Sequence, residues 1–233
     1  LLATLVPTAR AADLDAEIQA LDAKVIAWRR DLHEHPELSN REERTSRLVA
    51  EHLRGLGLPV ETRIARHGVV ALLDTGKPGP TIALRADMDA LPVVERTDVP
   101  FRSKVKSNYR GEEVGVMHAC GHDSHTAVLM GVAETLVRAK TKLRGKVLFV
   151  FQPAEEGVIP PETGGASVML EEGVFRKYQP EVMFGWHAWA SLNTGVIGYR
   201  SGPFMAGSQV WKAVVNGRQT HGSRPWQGLD PVT

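Results

Sequence analysis

The chain has 233 residues, 42% of them hydrophobic and 24% charged, so it can bury a sizeable core and has the composition of an ordinary globular protein. Its 28 Lys and Arg residues nearly balance 27 Asp and Glu residues, and no basic stripe is present, which argues against nucleic acid as a partner. No apolar run reaches about 18 residues, so the sequence predicts no membrane span.

Residues 1–11 predict the remnant of a secretory signal. An apolar run from Leu1 to Val6 leads to small residues, and Ala9-Arg10-Ala11 fits the A-x-A cleavage pattern, with cutting before Ala12. A frayed N-terminal extension is the alternative. We therefore expect a periplasmic or secreted protein, in which the single cysteine cannot form an internal disulfide.

Two amphipathic helices are predicted next. Apolar residues recur every three or four positions from Leu14 to Leu32, and Pro36 ends this first helix. Ser39 and Glu42 have the form of a capping box for a second helix, whose buried face would run from Leu48 to Leu56.

Three short apolar runs then predict strands, VETRIA from Val60, VVALLD from Val69 and TIALRAD from Thr81. The TGKPGP turn between the last two favours a hairpin or neighbouring strands. TIALRAD is nearly continuous in apolar character, as a central strand would be, and it ends in Asp87 and Asp89. Alternation places both acids on one side of the chain, although a simple polar turn is the alternative.

The stretch MHACGHDSH, Met117 to His125, contains the only cysteine and three of the nine histidines. It opens a predicted helix, and Cys120 and His122 can both reach a metal from a tight turn at Gly121. The residues before it, Glu95 to Gly115, show no clear period and predict a long surface loop.

Two further strands also end in potential ligands. KVLFVF, from Lys146, leads to Glu155 and Glu156, and EVMFGWH delivers His187. Strands that alternate with helices predict an α/β three-layer sandwich over a mainly parallel or mixed sheet. The sequence pattern changes after Gly202. The segment SQVWKAVVNG, residues 208–217, predicts another strand, and a second domain is expected to begin near this point.

These residues suit a hydrolytic metal centre, which needs several ligands, an open position for water and a base. Cys120, His122 and His187 would bind, and one glutamate of the Glu155-Glu156 pair would bind while the other acts as base. A cysteine nucleophile paired with His187 and a purely structural metal site are the alternatives. We interpret the two histidines of LHEHPELS, His33 and His35, as structural.

Five motifs in this order carry a family resemblance: RRDLHEHPELS, RADMDALPV, MHACGHDSHTA, FQPAEEG and HGSRPWQGLDPV. They resemble the bacterial and plant amidohydrolases related to hippurate hydrolase, aminoacylase and the indole-acetyl-amino-acid hydrolases, within the metallopeptidase family of aminoacylase and carboxypeptidase G. The resemblance spans Leu14 to Thr233. It implies a two-metal, aminopeptidase-like α/β catalytic domain over residues 12–200 and the start of an inserted α+β lid, used for dimerisation, over residues 201–233.

The resemblance also implies residue roles. Four residues match the metal ligands of the family: Cys120, His122, Glu156 and His187. Glu155 matches the general base, and Asp89 matches the acid that orients the centre. Asp87 stands where more distant relatives place a metal histidine, and His221 resembles the lid histidine that polarises the substrate carbonyl, commonly in the partner subunit's site.

The implied activity is metal-dependent hydrolysis of the amide bond of N-acyl amino acids or small peptides. Two divalent ions are expected, with zinc favoured by the thiolate and manganese, cobalt or nickel as alternatives, together with a homodimer formed through the lid. The family's last ligand histidine lies further downstream than this sequence reaches. We therefore expect either an N-terminal part of a longer protein or a truncated form with an incomplete metal site, and this segment alone should bind metal weakly and show little or no turnover. A degenerate relative that serves as a ligand-binding or interaction module is the non-enzyme alternative.

Overall fold

A computed structural model describes residues 12–207, 211 and 213–232, so the predicted signal remnant lies outside the described residues. The chain divides into two compact units, Leu1–Trp189 and Ala190–Thr233, and each is described here by itself. The first unit contains the helices and strands that position the candidate site.

The first unit has five α-helices and seven β-strands among its described residues. The helices are α1 Ala12–Glu34, α2 Glu43–Gly55, α3 His122–Arg138, α4 Gly165–Glu171 and α5 Val174–Tyr178, with a 3₁₀ turn at Lys140–Lys142. The strands are β1 Val60–Ile64, β2 Gly68–Asp74, β3 Thr81–Asp87, β4 Lys106–Tyr109, β5 Glu112–Gly115, β6 Lys146–Gln152 and β7 Val182–Gly185.

Five of these strands form one mixed sheet in the order β1-β2-β6-β3-β7. The β1 and β2 strands form an antiparallel hairpin and β2 pairs antiparallel with β6, whereas β3 is parallel to both β6 and β7. The prediction that β2 and β3 are neighbours is therefore wrong, because β6 lies between them. The connection from β3 to its parallel neighbour β6 passes through α3, which is an ordinary crossover between parallel strands.

The sheet is covered on both faces, as the predicted three-layer sandwich requires. Phe149 and Phe151 of β6 point to the face covered by α2 and α3, where they pack with residues such as Leu53 and Met130, and α1 packs on α3. The intervening Leu148 and Val150 point to the opposite face and pack with residues of α4 and α5. This alternation along one buried strand separates two hydrophobic cores, and the α/β fold class is confirmed.

The start of α2 differs from the predicted capping box. Glu42 precedes the helix, but its side chain makes no capping hydrogen bond. The Glu37 carboxylate instead accepts hydrogen bonds from the backbone N–H groups of Arg44 and Thr45, at 2.9 and 2.8 Å. A carboxylate that accepts hydrogen bonds from the free N–H groups of the first turn caps the helix. The predicted capping residues, Ser39 and Glu42, contact other residues instead.

The segment predicted as an irregular loop contains a β-hairpin. The β4 and β5 strands pair antiparallel within residues 106–115, and both turn residues, Arg110 and Gly111, have positive φ angles of 56° and 89°. A two-residue turn of this kind matches the right-handed twist of the strands it joins. The two strands of this hairpin are polar and lack the alternation of apolar and polar residues that indicates a strand, so the sequence pattern did not predict them.

Among its described residues, the second unit contains a 3₁₀ turn at Pro225–Gln227 and an isolated bridge between Arg218 and Leu229. Of the strand predicted over 208–217, the described residues, 211 and 213–217, are not in a strand. The assignment of residues 201–233 to a lid stays a prediction. Among the residues described, none of the helices combines the length and the apolar character needed to cross a membrane.

Candidate metal centre

Three adjacent parallel strands bring the predicted site residues to one edge of the sheet. The β6, β3 and β7 strands run in the same direction, so their carboxyl ends lie side by side. Asp87 and Asp89 follow β3, Glu155 and Glu156 follow β6, and His187 follows β7. The carboxyl edge of a parallel sheet is where α/β proteins place their ligand crevices.

His122, the first residue of α3, lies at the middle of this cluster. Its ring is fully buried, and Nδ1 lies 2.8 Å from the backbone carbonyl oxygen of Asp89. Because a carbonyl oxygen only accepts hydrogen bonds, Nδ1 carries a proton, and in the neutral ring Nε2 presents a lone pair. Burial opposes the charged ring, but the hydrogen bond to Asp89 and the charges of Asp87 and Glu156 raise the pKa of His122, so a metal would compete with a proton at Nε2. Nε2 has no hydrogen-bond partner among the described residues, and it lies 3.7 Å from Glu155 Oε2 and 3.8 Å from Glu156 Oε1.

His187 is oriented in the same way beside the only cysteine. Its Nδ1 donates to the backbone carbonyl of Ala188 at 2.6 Å, so Nε2 is the potential ligand atom, and it is hydrogen-bonded to Cys120 Sγ at 3.5 Å. Gly121 makes the approach possible, because its φ of +94° disfavours side chains and an added Cβ would lie 2.9 Å from the Ala188 side chain. The predicted tight turn at Gly121 is therefore present.

Three groups of potential ligands share His122, and two of them contain the predicted ligands. The ligand atoms of Cys120, His122 and His187 lie within 4.8 Å of one another, and so do those of His122, Glu155 and Glu156. The arrangement joins a thiol, two imidazoles and two carboxylates, of which Glu155 is the more exposed, at 39% of its side chain. The structure thus brings together all four residues predicted as ligands.

The charge around Cys120 favours a cation. Burial, together with the nearby carboxylates of Glu156, Glu155 and Asp87, raises the pKa of the thiol to about 12. Burial also raises the pKa of the Glu156 carboxyl above its usual range, and Glu155 and Asp89 add to the shift. A thiol with so high a pKa is a poor nucleophile at neutral pH, which disfavours the cysteine-nucleophile alternative. A bound cation would stabilise the thiolate instead.

Asp87 is buried and serves as an anchor at the end of β3. Its carboxylate lies 2.5 Å from His125 Nδ1 and 2.5 Å from Arg85 Nη1. Burial opposes ionisation, but the hydrogen bond from His125 and the charges of His122 and Arg85 lower the pKa of Asp87 to about 2. His125 in turn accepts the backbone N–H of Ala188 at 2.8 Å through Nε2.

A third group of potential ligands consists of Asp87, His122 and His125. Both ring nitrogens of His125 are already hydrogen-bonded, one to Asp87 and the other to the Ala188 N–H, so His125 joins the ends of β3 and β7 and presents no free lone pair. His125 therefore supports the site and does not act as a ligand in this arrangement.

Asp89 connects three parts of the site. Its Oδ2 accepts the Ser39 hydroxyl at 2.6 Å and the backbone N–H of Glu156 at 3.0 Å, while Oδ1 lies 3.3 Å from His122 Nδ1. Burial opposes ionisation, but the hydrogen bonds from His122 and Ser39 hold the pKa of Asp89 below its usual value. Asp89 therefore remains charged and fixes both His122 and the acidic loop.

A second buried network supports the cysteine and histidine loop. The Asp123 carboxylate accepts a hydrogen bond from His33 Nδ1 at 2.8 Å and forms an ion pair with Arg29 Nε, also at 2.8 Å. The other ring nitrogen of His33, Nε2, lies 3.1 Å from the Glu95 carboxylate. Both nitrogens of His33 face carboxylates, and the Asp123 hydrogen bond raises the pKa of His33 against the effect of burial. His33 is structural, as predicted, whereas the roles of Glu95 and Asp123 were missed.

His118, in the same loop, is also buried, and neither ring nitrogen has a hydrogen-bond partner within the described ranges. Burial lowers the pKa of His118 to about 4, so this ring is neutral at physiological pH.

A small cavity of about 120 Å³ lies beside Glu156. Its walls include Leu38, Leu91, Tyr109 and Ile159, so apolar and aromatic side chains border the acidic loop and the β4–β5 hairpin. Such a mixed lining next to polar groups is typical of a small-molecule subsite.

His221 belongs to the second unit, where it is exposed and its Nδ1 lies 2.9 Å from the Ser223 hydroxyl. Its predicted role toward the substrate carbonyl stays a prediction.

The donor set fits a transition-metal centre. Buried, unpartnered atoms of His122 and Glu156 face each other, and both histidines present Nε2 because their Nδ1 atoms are occupied. Thiolate and imidazole suit zinc-like ions, and carboxylates suit harder divalent ions. Fold and site therefore define an α/β protein with a candidate divalent-metal centre at the carboxyl edge of its sheet.

Comparison with known proteins places this centre in a family. Residues 83–227 match Peptidase family M20/M25/M40, and the chain belongs to this family. It is 45% identical to thermostable carboxypeptidase 1 of Saccharolobus solfataricus over 94% of the chain and 53% of that protein. It is 40% identical to the N-acyl-L-amino acid amidohydrolase of Geobacillus stearothermophilus over 92% of the chain and 54% of that protein.

A solved structure supports the same assignment. The Bacillus subtilis YXEP protein, described as a dinuclear metal-binding peptidase from the M20 family, has a TM-score of 0.69 and 41% identity, covering 79% of this chain and 48% of that one. The resemblance to the amidohydrolases of this family is thereby confirmed. The chain spans about half the length of the curated relatives it matches.

Proposed function

We propose that the protein is a metal-dependent amidohydrolase that cleaves the amide bond of N-acyl amino acids or small peptides. One observation carries the proposal: the carboxylates of Glu155 and Glu156 both face the free Nε2 of His122, beside Cys120 and His187. Two relatives are named an N-acyl-L-amino acid amidohydrolase and a carboxypeptidase, and both names agree with hydrolysis of a linear amide.

Cys120, His122, Glu156 and His187 would hold the ions, two in number as in the dinuclear relative. When bound, divalent ions lower the pKa of water and polarise a carbonyl oxygen. We propose zinc because of the thiolate, with manganese, cobalt or nickel as alternatives to be separated by metal analysis. A further histidine ligand, outside this sequence, would complete the set.

Glu155 is the general base in this proposal. Its carboxylate is 39% exposed, so a substrate can reach it, and Oε2 lies 3.7 Å from His122 Nε2. Glu155 takes a proton from the attacking water, the water oxygen bonds to the amide carbon, and the C–N bond breaks as Glu155 returns the proton to the leaving amine. Asp89 holds the backbone of Glu156 and the ring of His122 in place during these steps.

The cavity beside Glu156 would take an apolar part of the substrate, since Leu91, Tyr109 and Ile159 line it. We propose that His221 stabilises the oxyanion of the tetrahedral intermediate and that the lid forms a homodimer. Export through the N-terminal signal is also part of the proposal.

The test is hydrolysis by the whole protein of a panel of benzoyl, acetyl and indole-acetyl amino acids, with and without EDTA. Activity should disappear with EDTA and return with a divalent metal. Glu155→Gln should lower kcat by about 100-fold or more with unchanged metal content. The matched change Glu171→Gln, at an exposed residue of α4, should have no effect. Near wild-type turnover by Glu155→Gln would remove Glu155 as the base.

A non-enzymatic module that keeps the fold is the alternative. Metal bound by the whole protein without hydrolysis of any amide in the panel would favour it.

A further inference from the structure

Ser39 and Glu42 are not used to cap α2, since Glu37 does so, and both side chains turn toward the acidic loop that carries Glu155 and Glu156. Ser39 Oγ donates to Asp89, the same carboxylate that accepts the Glu156 N–H. Glu42 Oε1 accepts the backbone N–H of Ala154 at 2.8 Å. The segment before α2 therefore contacts the loop at its start.

The same segment also contacts the far end of this loop. Asn40 Nδ2 donates to the backbone carbonyl of Thr163 and to the Glu162 carboxylate, each at 3.0 Å, and Arg41 pairs with Glu162 at 2.7 Å. Residues 39–42 thus hold the loop at two places, residues 154–156 and 162–163.

Ala154 has an unusual backbone. Its φ is +50°, in the left-handed region that alanine rarely adopts, and it directly precedes Glu155. Such a conformation persists only where surrounding contacts fix it, and these positions concentrate at active sites. The Ala154 N–H points at Glu42, a residue with no exposed surface. One buried carboxylate thus fixes the residue from which the two catalytic-loop glutamates extend.

We propose that Glu42 is a positioning residue: by accepting the Ala154 N–H, it holds the left-handed turn that aims Glu155 and Glu156 at His122. The inference rests on the proposed function for its link to turnover, but the geometry of the turn does not depend on the substrate. Without this acceptor, Ala154 relaxes to negative φ and both carboxylates move away from His122 Nε2, now 3.7 and 3.8 Å distant. A misplacement of about 1 Å can reduce turnover by about 100-fold.

The test compares three variants in the whole protein. Glu42→Leu removes the acceptor and keeps the volume, Glu42→Gln keeps an acceptor oxygen, and Glu43→Leu makes the same change at the exposed neighbouring residue. We expect Glu42→Leu to lower kcat about 100-fold with KM changed less than about threefold. Glu42→Gln should retain kcat within about fivefold, and Glu43→Leu should match wild type.

A double variant separates positioning from general destabilisation. In the Glu155→Gln background, adding Glu42→Leu should lower kcat by a smaller factor than it does in wild type, because one of the two carboxylates that it positions no longer acts as the base, whereas Glu156 is still displaced. Glycine adopts positive φ without strain, so Ala154→Gly should recover part of the kcat lost in Glu42→Leu, by about fivefold or more. Thermal unfolding confirms that each variant is folded.

Cobalt titration gives a readout that needs no turnover, so it tests Glu42 even if the proposed substrates are wrong. The visible spectrum and affinity of Co²⁺ should change in Glu42→Leu, with binding weakened at least about tenfold, and stay near wild type in Glu42→Gln. Two results would overturn the proposal. One is wild-type cobalt binding by a folded Glu42→Leu, and the other is a Glu42→Gln protein as impaired as Glu42→Leu.

Discussion

Glu42→Gln should make the stability of the metal-free protein less dependent on pH. Glu42 is fully buried, and burial, helped by the nearby charge of Asp89, raises its pKa from 4.5 to about 7 despite the hydrogen bond from Ala154. Below pH 4.5 the carboxyl is protonated in both the folded and the unfolded protein and contributes nothing. As the pH rises toward 7, the unfolded chain releases this proton before the folded protein does, so the free energy of unfolding falls.

The size of this effect follows from the two pKa values. A difference of about 2.5 between them corresponds to about 3 kcal/mol, reached near pH 7 and constant above it. Glutamine does not titrate, so the free energy of unfolding of Glu42→Gln should rise relative to that of wild type by about 3 kcal/mol between pH 4.5 and pH 8. Any packing cost of the amide is the same at every pH and cancels from this change.

The assay is urea unfolding of the whole protein in EDTA, followed by tryptophan fluorescence at pH 4.5, 6 and 8. Glu162→Gln is the matched control, because its hydrogen bonds from Arg41 and Asn40 lower the pKa of Glu162 to about 2. That contribution is present above pH 4.5 and is lost only as the pH falls from 4.5 toward 2, so Glu162→Gln should differ from wild type by a constant amount over the range used. An equally constant difference for Glu42→Gln would refute the reasoning.

Three further predictions concern the core and the site. Phe149→Ala should lower the free energy of unfolding by about 3–5 kcal/mol because Phe149 is fully buried, whereas Val128→Ala, at a side chain 37% exposed, should cost much less in the same urea assay. His125→Ala should weaken zinc binding about 10–100-fold because His125 joins the ends of β3 and β7, and an unchanged affinity in a competition titration would contradict this. In EDTA at pH 8, iodoacetamide should label Cys120, the only cysteine, far more slowly than it labels glutathione, because burial and nearby acids raise the thiol pKa to about 12; labelling at the glutathione rate would show that the thiol is exposed and ordinary.

The sequence could predict that the site residues lie close together, because each of them is indicated by a local sequence pattern. Each of β3, β6 and β7 is an apolar run that ends in a potential ligand, and parallel strands share a carboxyl edge. The position of β3 inside the sheet, between β6 and β7, was also predicted from its nearly continuous apolar character. These features need no knowledge of which strand lies next to which.

Strand order and the capping contacts could not be predicted in this way. The position of β6 between β2 and β3 depends on pairing between distant segments, which a local turn such as TGKPGP does not report. Ser39 and Glu42 have the correct spacing for a capping box, but Glu37 takes that role. The partners of Ser39 and Glu42 are 50 and 112 residues away, beyond the range of any local pattern.

The two histidines of the site are oriented by backbone carbonyl groups. In both His122 and His187, Nδ1 donates to a backbone carbonyl, so Nε2 is aimed at the site by groups that do not titrate. Asp87, Asp89, Glu155 and Glu156 then concentrate negative charge around them, and Arg85 is the cation paired with Asp87. Gathering these acids costs free energy that a divalent cation offsets, so metal binding should stabilise the folded protein by linkage as well as activate it.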